Sequence, residues 1–183
     1  MANSEADPDE TPPPSRRGEL LRQAQAQLLL EVAIADATLG CHNRAYLVHR
    51  GRDEVARRSR YGQRLSLLLI AADGGPGRGE TVLKEIVAAA RLTLRPTDTL
   101  ARWRGGELVV LLPATGLAGA TRLARRLGAA LAAAGERAGF PVAASIGVAT
   151  ALGRHEGLEL LIQRARAGLD EARAAGGQRF GVG

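Results

Sequence analysis

Two apolar runs, DTLARW (98–103) and ELVVLLP (107–113), are separated by Arg104-Gly105-Gly106 alone. A connection that short and that rich in glycine joins neighbouring antiparallel strands. A lone hairpin is barely stable in water and has to bury its apolar face against further strands or helices. The rest of the chain supplies both. RLSLLLIAA (64–72) is a continuous apolar run stopped by Asp73-Gly74-Gly75-Pro76, the pattern of a buried strand meeting a loop. PVAASIGVAT (141–150) reads as another strand and QRFGVG (178–183) as an edge strand.

Helical spacing fills the intervals. Asn43 is a good N-cap for a helix running towards Ser59. Gly79 to Leu94 places Val82, Ile86 and Ala89 on one face, and 116–135 does the same with Leu117, Ala120, Ala124, Leu127 and Leu131. Leu158, Leu161, Ala165, Leu169 and Ala172 define a last helix. The fold class is α/β, in the form of an α+β sandwich: a mixed central sheet of about five strands flanked by helices, with one central β-hairpin in the chain's alternation of strands and helices.

Ahead of this, residues 1–17 are acidic and Pro-rich and read as a disordered tail; 18–35 is a strong helix former with Leu21, Ala24, Leu28 and Val32 on one stripe. Its exposed apolar stripe calls for packing on the domain or on a second copy. Residues 36–183 form the folded domain, in a chain of 183 residues with a 45% hydrophobic fraction. No apolar run approaches the ~18 residues that span a bilayer. No signal peptide opens the chain and Cys41 is its single cysteine, so the expected setting is cytoplasmic, without disulfide or metal cluster. Net charge is +6, yet Lys84 is the one lysine and aromatics make up 3%, so the basic surface argues weakly for nucleic acid. His42, His49 and His155 lack ligand spacing, Cys41 reads as core, and Trp103 as packing.

Four stretches, in order and at matching spacing, resemble the GGDEF family, whose active members condense two GTP molecules into cyclic di-GMP. Asp36-Ala-Thr-Leu-Gly-Cys-His-Asn-Arg44 is similar to its opening D-x-L-T-G-L-x-N-R, and LARWRGGELVVLLP (100–113) to its signature hairpin A-R-Y-G-G-D-E-F. SIGVA (145–149) matches a family strand, and RARAGLDEARAAG (164–176) resembles the final helix. The resemblance covers roughly residues 36–182 and implies the fold already read from the pattern.

It also exposes departures. The family's two metal carboxylates fall on Ala71 and, aligned without gaps, on Gly106, so that the signature reads Arg104-Gly105-Gly106-Glu107-Leu108. A shifted register would restore one acid, Glu107. The substrate stretch after the first strand is short, with Glu80 as a remnant base contact; Arg173 stands where the family has a phosphate-binding Lys, but Gly177 where it has Arg. Without hard oxygen ligands a Mg²⁺ ion has no cage. The expectation is therefore a domain that is not an enzyme, with no cofactor and no metal.

What the resemblance leaves is an inhibitory-site motif, R-x-x-D, at Arg95 and Asp98, five residues ahead of the signature. An Arg fork pairs with a guanine edge or phosphate and an Asp accepts from guanine N–H groups. Arg126 and Arg57 fall on further arginine positions, with Arg125 and Arg58 beside them. The leading expectation is a cyclic di-GMP receptor through Arg95, Asp98, Arg57, Arg58 and Arg126. The alternatives are a nucleotide-free scaffold acting as a homodimer or with a partner protein, and a residual diguanylate cyclase.

Overall fold

The computed structural model describes residues 34–73 and 79–183, together with 16, 19–21, 25 and 33 of the leading segment. The described residues of that leading segment are helical; most of the expected apolar stripe, and the Gly74–Pro76 loop, lie outside the described residues. The chain divides at Ala33/Ile34 into a leading unit and the folded domain described below.

The domain runs α1 (Arg44–Tyr61), β1 (Leu65–Ala72), α2 (Gly79–Thr93), β2 (Thr99–Arg104), β3 (Glu107–Pro113), α3 (Leu117–Ala138), β4 (Ala144–Thr150), α4 (Leu158–Ala174) and β5 (Phe180–Val182). The strands form one sheet in the order β2-β3-β1-β4-β5. All neighbours are antiparallel except β4 and β5, so the sheet is mixed as expected. Residues 141–143, expected at the head of β4, are outside the strand. Asn43 caps α1 by accepting from the Tyr46 N–H at 3.0 Å, and Gly62 closes the helix at φ 67°.

β1 has no polar face because both of its faces are covered. Leu68 and Ile70 join Val110, Ile146 and Val148 under Val82 and Ile86 of α2 and Leu127 of α3. Leu65, Leu67 and Leu69 turn the other way, to Leu47 of α1 and Leu161, Ala165 and Leu169 of α4. α4 lies so close to β4 that a Cβ on Gly147 would sit 1.7 Å from the Ala165 carbonyl oxygen, which makes glycine obligatory there. Cys41 is core, at 6% exposure.

This register fixes the site. Ala71 near the end of β1 lies opposite Glu107 at the start of β3 and opposite Ser145 at the start of β4. One end of the sheet thus gathers the hairpin turn and the chain that follows β1.

Candidate functional site

Gly105 takes φ 51° to make the two-residue turn, and the register shifts between Arg102 and Arg104 just before it. A Cβ on Gly105 or Gly106 would meet nothing within 4 Å, so the turn faces open space. Beneath it opens a cleft of about 380 Å³ lined by Ala71, Ala72, Arg104, Gly105, Gly106, Glu107 and Arg173.

Glu107 is held in a fork: Arg166 of α4 donates to both carboxylate oxygens at 2.7 Å, and Arg104 Nε approaches Oε2 at 3.3 Å. Burial pushes the Glu107 pKa up, but the Arg166 hydrogen bonds and charge, then Arg104, hold it below the ordinary carboxylate value. The same hydrogen bonds raise Arg166 above its ordinary value.

Across the cleft, Asp73 accepts from Ser145 Oγ at 2.6 Å, the Gln178 N–H at 3.0 Å and Arg173 Nε at 3.4 Å. Arg173 also donates to the Ala72 carbonyl at 3.3 Å. At the rim, Arg102 donates to the Gly105 carbonyl at 3.2 Å and reaches Glu80 at 3.4 Å and Asp36 at 3.5 Å. Arg102 therefore ties the turn to the first turn of α2 and to the 36–40 loop. Burial raises the Asp36 pKa, but the Leu39 and Thr38 N–H groups and Arg102 outweigh it and leave the carboxyl below its usual value.

A divalent cation does not fit these donors. The Glu107 oxygens are engaged by guanidinium groups, Asp73 is occupied by Ser145, Gln178 and Arg173, and Ala71 offers no oxygen from its side chain. Among the described residues no three His, Cys, Asp or Glu side chains come together. His42 stacks on Tyr46 with ring centroids 4.0 Å apart, His49 faces Asp53 at 3.7 Å, and His155 meets Ser59 at 3.5 Å. Trp103 carries the Arg44 guanidinium 4.3 Å above its ring, and its buried indole N–H has no partner, which fits packing beside the hairpin.

The second candidate site lies between α2 and β2. Asp98 closes a turn by accepting the Arg95 N–H at 2.9 Å, while the Asp98 N–H donates to the Arg95 carbonyl at 3.0 Å. Arg95, Asp98, Arg126 and Arg122 line one cavity of about 110 Å³, and Arg126 donates to the Thr93 carbonyl at 3.2 Å. Three of the five expected ligand residues are thus brought together, and Arg122, which the motif did not indicate, joins them.

Arg57 and Arg58 are not brought there. Arg57 pairs with the buried Glu54 at 3.4 Å. Arg58 is 9% exposed and donates to the Gly153 carbonyl and, at 3.0 Å, to the Ala151 carbonyl. Its guanidinium fastens the 151–153 loop to α1 and cannot reach a ligand without releasing it. Sequence spacing could not separate these arginines, because only the fold shows which carbonyls they face.

The sequence model of the family described as diguanylate cyclase, GGDEF domain, matches residues 33–179. The diguanylate cyclase DgcP of Pseudomonas aeruginosa is 39% identical over 163 residues, covering 82% of this chain and 24% of that protein. The response regulator PleD of Caulobacter vibrioides is 34% identical over 160 residues, covering 80% of this chain and 35% of that protein. The chain therefore spans a quarter to a third of the length of these relatives. The diguanylate cyclase SiaD of Pseudomonas aeruginosa, solved with its activator SiaC, superposes with a TM-score of 0.77 at 29% identity, over 91% of this chain and 68% of that one. The coiled coil and GGDEF domain of DgcB from Caulobacter crescentus, solved with cyclic di-GMP, gives 0.75 at 18% identity over 90% and 93%, which speaks for the fold alone.

These likenesses overturn the expectation of a non-enzymatic receptor. The matching family is described by the cyclase activity, and a relative at 39% identity is a diguanylate cyclase. Ala71 and Gly106 do not by themselves make the domain inactive, and nothing in the fold or the comparisons shows inactivity. Among the described residues no helix is long and apolar enough to cross a membrane.

Proposed function

The chain belongs to the GGDEF domain family, and from that premise we propose that it is a diguanylate cyclase domain that condenses two GTP molecules into cyclic di-GMP at the hairpin cleft. The observation that carries the reading is the convergence of the glycine turn with Arg104, Glu107 and Arg173 on one open cleft. The Glu80 carboxylate, reached by Arg102 at 3.4 Å, supports the reading as an acceptor for guanine N–H groups.

In each half-reaction the 3′-oxygen of one GTP bonds to the α-phosphorus of the other. The bridging P–O bond to the β-phosphate breaks, pyrophosphate leaves, and the hydroxyl proton passes to solvent. Charge builds on the phosphate oxygens, and pre-placed guanidinium groups lower the barrier by facing it. Arg104 and Arg173 do this here. One cleft per chain and two GTP per product call for two copies facing each other, so the active form is a homodimer.

The cavity of Arg95, Asp98, Arg122 and Arg126 is the cyclic di-GMP site, now as a site for the product. Its guanidinium groups suit a ligand with two phosphates and two guanine edges. Incubation with GTP and Mg²⁺ or Mn²⁺, followed by chromatography, should give cyclic di-GMP, with turnover slowing as product accumulates and with Arg95→Ala relieving that slowing. Absence of product at micromolar protein over hours would refute the cyclase reading.

A further inference from the structure

The mismatch between the cleft and a divalent cation leaves a positive question: what neutralises a triphosphate there? Resting on the reading of the cleft as the nucleotide site, we propose that Arg104 and Arg173 bind the polyphosphate directly, and that the Arg166 fork on Glu107 makes this binding independent of a divalent cation.

The donors point this way one by one. The carboxylate at the cleft floor that could take a cation, Glu107, has both oxygens engaged by Arg166 at 2.7 Å. A cation entering there has to displace a bidentate, charge-assisted pair. Ala71, directly across from Glu107, adds no oxygen from its side chain. Asp73 is taken by Ser145, the Gln178 N–H and Arg173.

The two arginines of the wall are held loosely by comparison. Arg104 contacts Glu107 at 3.3 Å with its side chain 62% exposed, and Arg173 contacts Asp73 at 3.4 Å with 43% exposed. Each can exchange a long, solvated contact for a phosphate oxygen at normal distance. Guanidinium groups match phosphate in geometry and are more weakly hydrated than an ammonium, so less water has to be stripped on binding. Arg166 cancels the charge of Glu107, which would otherwise repel the incoming phosphates.

The test is calorimetric titration of the whole chain with GTP and, separately, with inorganic triphosphate, in excess EDTA and in Mg²⁺. Affinity in EDTA should equal that in Mg²⁺ within about threefold, and Arg104→Ala or Arg173→Ala should each weaken it about tenfold. Arg60→Ala, in the last turn of α1 and outside the cleft lining, should change it little. Arg166→Ala frees Glu107 and should weaken binding in EDTA while making it improve when Mn²⁺ is added; Arg166→Lys, which keeps one charge, should fall between. Binding seen only with a divalent cation overturns the proposal, as does no binding under either condition or equal loss at Arg60. Binding in EDTA with no cyclic di-GMP formed would sink the cyclase reading and leave this one standing; cyclic di-GMP formed with binding only in Mg²⁺ would do the reverse.

Discussion

The hairpin cleft and the 95–98 turn are both arginine sites, yet they are assembled over very different chain distances. At the turn, Asp98 and Arg95 are three residues apart and their bonds run through the backbone. At the cleft, Glu107 meets Arg166 from 59 residues away and Asp73 meets Arg173 from 100. The turn is thus a local structure, closed by the Asp98 carboxylate on the Arg95 N–H, with Arg95 exposed. The cleft is a tertiary structure whose charges are already partnered before any ligand arrives.

That contrast gives the largest expected effect. Arg173→Ala takes from the cleft one of the guanidinium groups proposed to face the phosphates. Product formation should fall about a hundredfold or more, the scale of losing a placed electrostatic group. Binding of cyclic di-GMP at the 95–98 turn should stay within about twofold of wild type, because no shared partner couples the sites. If both readouts fall together in a folded variant, the two sites are one cooperative unit and the comparison breaks.

The next effect separates two kinds of arginine. Arg58→Met should cost about 2 kcal/mol of stability, since two loop carbonyls lose charged donors in a buried setting. Its cyclic di-GMP affinity should not change. Arg126→Ala should do the opposite, with stability within about 0.5 kcal/mol and affinity down about tenfold. Denaturant melts beside calorimetry check both. A stable Arg58→Met that no longer binds ligand would return Arg58 to the site.

The same division explains what the sequence could tell. The strands, the helices and the R-x-x-D motif were legible because apolar runs, helical spacing and a four-residue motif are local signals. Asn43 and Gly62 behave as caps for the same reason. Arg166 was passed over although it stands in the RARAGLDEARAAG stretch, because nothing in that stretch says that its fork will meet Glu107. Arg102 and Arg122 were missed likewise. Arg58 was misassigned because an arginine beside an arginine looks equivalent until the fold buries one of them.

A smaller effect follows from acidity. Glu107 is held below its ordinary pKa in the folded chain, so its pairing with Arg166 adds stability above the unfolded carboxylate value, and that stability is lost as pH falls through the folded value. Arg166→Met removes the cause. The difference in Tm between wild type and this variant should be flat from neutral pH to the ordinary carboxylate range and shrink below it. A gap that stays constant into strong acid would mean that Arg166 stabilises by packing rather than by charge.

The finest test asks whether the local turn can lose its ligand chemistry without losing its shape. In Asp98→Asn the side-chain carbonyl can still accept the Arg95 N–H, so the turn persists and stability should move by less than about 0.5 kcal/mol. What disappears is the negative charge that the proposed site assigns to guanine N–H donors. A charged acceptor is worth roughly twice a neutral one, so cyclic di-GMP affinity should drop about three- to tenfold. Asp98→Ala, which removes the turn bond too, should lose more affinity and measurable stability. Equal affinities for Asp98→Asn and wild type would show that Asp98 serves the turn alone, leaving Arg95, Arg122 and Arg126 to hold phosphate by charge.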